Sequence, residues 1–343
     1  MSRRILLILS HSIEEYDQLR LFTNLGYDVF SLGGYINPHA PHDPKRPAIP
    51  EATHWADLQA AVDGLGVEDN IGTAAGNLPD EILDWLGPDG TIICHHYLER
   101  IYGQWDRLAD WGGRVVWRTV GQSTQANEER AKFFRDNGLE IVRYSPKEMH
   151  IPGFAGEDAL IRFYKDPEEW MSYTGEKAQV TNLTQDLLRR TEWCNGDFYL
   201  KATAGLPCAP AGPGSEELPG GLGVIPAEDL KALLRESRVY LYTGTQPASY
   251  TLGLIEALMT GIPVVSIGPG HMQIFEYGKY LFEGHELAYT WSEDPGIARS
   301  SLEVFLEDQE LAQDIGQRQR IRTIKEFGIE TVGKDWVKFL GKP

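Results

Sequence analysis

Short apolar runs recur along the chain roughly every 20 to 30 residues, separated by segments of helical periodicity, the alternation that marks βαβ units. Ile5 to Leu9 reads as a first strand, Glu14 to Leu25 as a helix, and Tyr27 to Ser31 as a second strand after Gly26. Ile82 to Leu86 predicts a helix, Thr91 to Cys94 a strand, Tyr102 to Trp111 a helix and Arg114 to Trp117 a strand. Glu128 to Asn137 predicts a further helix before a strand at Glu140 to Tyr144. Asn37 to Pro50, rich in Pro and His, predicts an irregular loop. This order predicts an α/β protein built on a doubly wound parallel sheet.

After Lys165-Asp166-Pro167 the chain turns polar and the order restarts. Ala178 to Val180 predicts a strand, Gln185 to Glu192 a helix, Asp197 to Lys201 a short strand, Pro207 to Gly223 a loop and Ala227 to Arg235 a helix. The strongest signal comes next. Val239 to Tyr242 predicts a strand ending in a polar loop, a small-residue helix follows and is stopped by Gly261 and Pro263, and Val264 to Ile267 predicts a second buried strand. Open parallel sheets hold ligands at the carboxyl ends of their strands, and a helix that begins there turns free backbone N–H groups toward a phosphate. Thr251 is the predicted cap, with Leu252 and Gly253 as donors.

Size changes this picture from one sheet to two. At 343 residues the chain exceeds the roughly 250 to 300 at which single cores stop growing. The domain boundary is expected at residue 172. A hydrophobic content of 42% with 24% charged residues is ordinary for a globular protein. The net charge of −18 repels phosphate backbones and anionic membranes, which counts against free nucleic acid as a partner. Three cysteines without CxxC spacing give neither a disulfide framework nor a zinc site, and they fit a reducing cytoplasm. The first apolar run is too short for a signal peptide core, and no run approaches the ~20 residues of a membrane span. A G-x-G-x-x-G fingerprint, a P-loop and a GxSxG elbow are all absent.

Gly253-Leu254-Ile255-Glu256-Ala257, then Gly261, then Pro263-Val264-Val265, resembles the donor signature of GT-B glycosyltransferases. The retaining branch shows Glu, seven residues, Glu, then Ala, three residues, Gly, one residue and Pro-Val-Val. The first glutamate is replaced here by Ala248. The first-domain phrases LILSHSIEEYDQLRLFTNLGYDVFSLG and VVWRTVGQST look like those of short bacterial and viral glycosyltransferases. The resemblance implies two Rossmann-like domains, 1–172 on the acceptor side and 173–325 binding a nucleotide sugar. It also implies a cleft between them and a last segment, 326–343, that crosses back to the first domain.

The same resemblance implies residue roles. Glu256 would hold the donor ribose diol, which suits a carboxylate because it accepts two hydrogen bonds. Gly270, in Gly268-Pro269-Gly270-His271, falls where the family places a glycine-rich loop near the sugar; a tight turn explains the same residues. Arg190 and Lys201 are candidates for the donor diphosphate, and Arg118 for the diphosphate or an anionic acceptor. Tyr250, in the loop before the helix, is a candidate substrate contact. His11 stands where inverting relatives carry a base, and a cap or carbonyl contact is the alternative role. His95 and His96 look like the histidine that ends a first-domain strand and contacts the sugar. Neighbours on a strand face opposite sides, so His96, further past the apolar run, is the catalytic candidate and His95 a substrate contact.

The expected activity is transfer of a hexose from a nucleoside diphosphate sugar, UDP-sugar by expectation, to a hydroxyl acceptor without a bound metal. The alternatives are a glycosyltransferase acting on hydroxymethylated bases of phage DNA, a sugar-nucleotide epimerase of the same fold, and a non-catalytic sugar-nucleotide binder.

Overall fold

The computed structural model describes residues 2–8, 12–31, 58, 78–95, 98–121, 123–246, 248–268 and 290–343. The chain divides into two compact units. The first comprises Met1–Tyr164 with Val332–Pro343, the second Lys165–Thr331. The expected first boundary, at 172, lies a few residues further along than this division.

The first unit carries six parallel strands: β1 (Arg4–Ile8), β2 (Asp28–Ser31), β3 (Thr91–His95), β4 (Arg114–Arg118), β5 (Glu140–Arg143) and β6 (Ala159–Leu160), in the order β2-β1-β3-β4-β5-β6. Every residue of β3 is buried, as are the last four of β1 and of β4, which explains why these strands read as continuous apolar runs. Helix α1 (Ser12–Leu25) ends where Gly26 takes a left-handed φ of 93°. There the N–H of Tyr27 reaches back to the carbonyl of Phe22 at 3.0 Å, a Schellman closure that needs glycine at this point. Helices α2 (Asp80–Leu86), α3 (Glu99–Tyr102), α4 (Trp105–Trp111) and α5 (Gln125–Arg135) complete the described crossovers. The helix expected over Tyr102 to Trp111 is thus two helices, broken at Gly103-Gln104.

One buried ion pair ties β5 to α5. Arg143 donates to both carboxylate oxygens of Glu128 at 2.8 and 2.7 Å, with neither side chain exposed. Glu128 also accepts from the Ser123 hydroxyl at 2.6 Å and the Ala155 N–H at 2.8 Å. Burial pushes its pKa up, but the guanidinium and these donors outweigh it and hold the carboxyl below the ordinary range.

The second unit has four parallel strands, β7 (Lys177–Thr181), β8 (Ser237–Tyr242), β9 (Val264–Ile267) and β10 (Trp291–Ser292), in the order β10-β9-β8-β7. Cys208 bridges Val180 in parallel on the other side of β7, so the chain turns outward from β7 before returning to β8. The order of the sheet therefore reverses between β7 and β8. Around it lie α6 (Thr191–Cys194), α7 (Gly196–Thr203), α8 (Ala227–Glu236), α9 (Leu252–Thr260), α10 (Pro295–Glu307) and α11 (Gln309–Phe327).

Two expectations fail in this unit. Asp197 to Lys201, a strand by its aromatic run, lies in helix α7, where Phe198, Tyr199 and Ala202 are buried at helical spacing. The helix expected over Gln185 to Glu192 is confined to its end: the segment from Gln185 to Arg190 forms turns, and only Thr191–Cys194 is helical.

The closing helix α12 (Lys334–Leu340) belongs to the first unit. It buries Trp336 edge-on against Phe22 at 5.0 Å, and Arg114 lies over the Phe339 ring at 4.7 Å while pairing with Glu140 at 2.8 Å.

Candidate functional site

In the second unit the point of reversal between β7 and β8 is where a parallel sheet offers a crevice. The loop after β7 is pinned there: Asn182 donates through Nδ2 to the Leu241 carbonyl at 2.7 Å and accepts from the Thr184 N–H at 2.7 Å. The loop after β8 is held by Asn195, which donates to the Thr243 carbonyl at 2.8 Å, and by the Gln246 N–H, which donates to the Trp193 carbonyl at 2.7 Å. These bonds fix the frame from which α9 starts.

Thr251 is the cap of α9, as its position in the sequence predicts: its Oγ1 accepts from the Leu254 N–H at 3.3 Å. The N–H groups of Leu252 and Gly253 belong to the first turn, which has no acceptors within the helix, and both residues are half-buried. A Cβ on Gly253 would meet the Leu183 Cβ at 3.5 Å and the Tyr240 hydroxyl at 3.7 Å, ordinary contacts. Packing therefore does not demand glycine at 253. The helix closes on Gly261 at φ 90°, and Val264 resumes the sheet.

Glu256 lies one turn inside α9 and is only 5% exposed. Its Oε1 accepts from Lys165 Nζ at 2.6 Å. The Lys165 ammonium also stands 5.8 Å from the Trp170 ring centroid, and its backbone N–H donates to the Phe327 carbonyl at 3.1 Å. Sequence reading misses Lys165 altogether: its pairing spans 91 positions, and its only local mark is the polar break Lys165-Asp166-Pro167.

The cationic candidates separate. Arg190 is exposed beside Cys194, whose thiol is pushed up by burial while the Arg190 charge opposes the shift. Cys194 lies 3.9 Å from the Thr245 hydroxyl, so α6, which Arg190 precedes, packs beside the loop after β8. Lys201 is exposed in the last turn of α7, at the far end of that helix from the Asn195 to Thr243 bond. The structure does not bring it to this crevice.

Three candidate substrate contacts are enclosed within their own units. Tyr250 is 1% exposed and packs edge-on against Phe327 at 5.4 Å. Arg118, in the first unit, is fully buried. It donates to the carbonyls of Arg143 and Ile161 at 3.1 and 2.5 Å, and it lies between the rings of Phe163 and Trp336. His95 is the last residue of β3, paired in register with Arg118, and its Nε2 is 3.4 Å from Glu14 Oε1. Both strands extend one residue beyond the apolar run, so the polar residue that ends each of them lies inside the ladder. His11, His96 and Gly270 lie outside the described residues.

A second buried polar group stands at the carboxyl ends of β4 and β5. Glu148 accepts from the Thr119 hydroxyl at 2.6 Å and the Tyr144 N–H at 3.2 Å, while its Oε1 is enclosed without a hydrogen-bond partner among the described residues. Burial pushes its pKa to about 7 against the pull of Arg143 and Arg118. Among the described residues no group of three or more His, Cys, Asp or Glu side chains is arranged to hold a metal ion, and no helix is long and apolar enough to cross a membrane.

No protein-family model matches the chain, and no curated protein matches it in sequence. Solved structures do match in fold. HepE from Anabaena, solved with UDP and glucose, is 12% identical, with 100% of each chain covered and a TM-score of 0.59. A sucrose-phosphate synthase from Thermosynechococcus elongatus is 13% identical over 98% of each chain, at 0.63. An α-glucosyltransferase solved with UDP and a 13-mer DNA containing an HMU base is 11% identical over 100% of each chain, at 0.58. The fold of this chain is that of the GT-B glycosyltransferases.

Proposed function

We propose that the protein transfers a hexose from a UDP-sugar to a hydroxyl acceptor, with the donor seated on the start of α9. The observation that carries this reading is the sequence of groups along that helix. The first-turn amides of Leu252 and Gly253 suit a diphosphate, and Glu256, one turn further, suits the ribose diol. UDP bound in two of the neighbours named above supports the choice of nucleotide.

Cleavage of the sugar-phosphate bond leaves negative charge on the diphosphate. Preorganised N–H donors stabilise such charge where it develops, and Arg190, which precedes α6, adds an exposed cation, so the reaction as proposed runs without metal. His11 takes the proton of the acceptor hydroxyl. Ala248 supplies no carboxylate to the transferred sugar, which leaves sugar recognition to other groups. The net charge of −18 disfavours a DNA acceptor relative to a small molecule or glycan.

The test is a thermal-shift and calorimetric screen against UDP-, GDP-, ADP- and TDP-sugars without added metal, followed by UDP release in an acceptor screen. Specific stabilisation by UDP-sugars, lost in Glu256→Ala, and acceptor-dependent UDP release are expected. Unchanged UDP-sugar affinity in Glu256→Ala defeats the site assignment. Binding without turnover in any acceptor screen favours a non-catalytic binder, and isomerised or freed sugar without acceptor favours an epimerase.

A further inference from the structure

Lysine is almost never fully buried unless it is paired, and a buried pair on average adds little stability over apolar side chains of the same shape. Lys165 is nonetheless fully enclosed, and it is held from three directions: its N–H by the Phe327 carbonyl at 3.1 Å, its ammonium over the Trp170 ring at 5.8 Å, and its Nζ on Glu256 Oε1 at 2.6 Å. Trp170 is itself 2% exposed and Phe327 0%, so the groups that hold the lysine belong to a packed wall. A carboxylate tied at one oxygen by an enclosed cation is restricted in the orientations it can take.

Glu256 is three residues beyond Gly253, about 4.5 Å along the helix axis. A ligand that meets the first-turn amides with its phosphates brings the adjoining ribose toward this carboxylate.

We infer that Lys165 is a positioning residue that presents the Glu256 carboxylate to the ribose hydroxyls of the donor nucleotide, so that the discrimination of ribose from deoxyribose depends on a side chain that touches no ligand. This rests on the donor-site reading above. Removing the ammonium leaves a nearly enclosed carboxylate without its counter-charge, so Glu256 rotates or takes up a proton and loses its preset acceptor geometry. Contacts of the phosphates with the start of α9 do not pass through Lys165 and are retained.

The experiment is calorimetric titration of UDP and of 2′,3′-dideoxyuridine diphosphate into the full chain and its Lys165→Met, Lys165→Arg and Glu256→Gln variants, with folding checked by thermal melts. The wild type is expected to prefer UDP by about ten-fold or more, since hydrogen bonds to a charged acceptor are lost in the analogue. In Lys165→Met the preference collapses to about two-fold or less while affinity for the dideoxy analogue stays within about three-fold of wild type. Lys165→Arg recovers most of the preference, and Glu256→Gln reproduces the collapse with the lysine intact.

A Lys165→Met variant that keeps the wild-type preference overturns the inference but leaves the donor site standing. So does one that loses both nucleotides to the same extent, which marks Lys165 as a tie of the fold alone. Should Lys165→Met not fold, Lys165→Arg and Glu256→Gln decide: a wild-type preference in Glu256→Gln overturns the assignment, and its loss there with recovery in Lys165→Arg supports it. A wild-type protein that binds neither nucleotide overturns the donor-site reading, and the inference with it.

Discussion

Glu148 carries a prediction whose sign and size follow from its surroundings. The carboxyl is enclosed, and Arg143 and Arg118 only partly offset the burial that raises its pKa from 4.5 to about 7. In the folded protein it therefore keeps its proton up to about pH 7, whereas the unfolded chain gives it up near 4.5. Between these values the native state binds more protons, so this group's contribution to stability falls as pH rises through the window and is level above it. Raising the pKa from 4.5 to about 7, at about 1.4 kcal/mol per pH unit, amounts to a penalty of about 3 kcal/mol at pH 9 relative to pH 4.

Glu148→Gln keeps an acceptor for the Thr119 hydroxyl and the Tyr144 N–H and cannot ionise. At pH 5 the variant should lie within about 1 kcal/mol of wild type. At pH 9 it should be the more stable of the two, with the difference moving in its favour by about 3 kcal/mol. Urea unfolding of both proteins at pH 5, 7 and 9 measures this, because the other acids titrate alike in both and cancel. A difference that does not change with pH, or one that moves toward wild type as pH rises, refutes the reasoning.

Other outcomes follow from single contacts. Arg143→Met leaves Glu128 buried without its guanidinium and should cost about 3–5 kcal/mol in urea unfolding, with part recovered when Glu128→Gln is added. Gly316→Ala places a Cβ 1.9 Å from the Gly261 carbonyl oxygen, so α11 must move off the α9 to β9 turn; a loss of about 1–3 kcal/mol is expected, read as a lower Tm. His11→Ala should lower the rate of UDP release by about 10²-fold with little change in UDP affinity, and a near-normal rate returns the residue to a structural role.

The β8 to β9 segment is legible in the sequence because each boundary has a local chemical cause. The apolar run ends at Tyr242, Thr251 caps the helix with its own hydroxyl, and Gly261 takes the left-handed turn that stops it. Strand ends are less legible. Arg118 and His95 are polar residues after apolar runs, a pattern that fits an exposed loop as well as a buried ladder position. Their burial is decided by Glu14 on α1 and by Phe163 and Trp336, residues far away in sequence. Helix α7 escapes sequence reading for a related reason: Phe198, Tyr199 and Leu200 favour a strand by propensity, and packing of the helical face formed by Phe198, Tyr199 and Ala202 overrides it. The Lys165 to Glu256 pair has no local signature to read, since neither residue is marked by its neighbours as the partner of the other.

The most direct test of the account is hydrogen exchange read by mass spectrometry on the full chain with and without UDP. Slower exchange is expected in the peptide spanning 249–258 when UDP is present, because a diphosphate occupies the amides at the start of α9, with less slowing in Glu256→Ala at a UDP concentration near the wild-type Kd. UDP that binds but leaves this peptide unchanged, or a protein that binds no UDP at all, contradicts it.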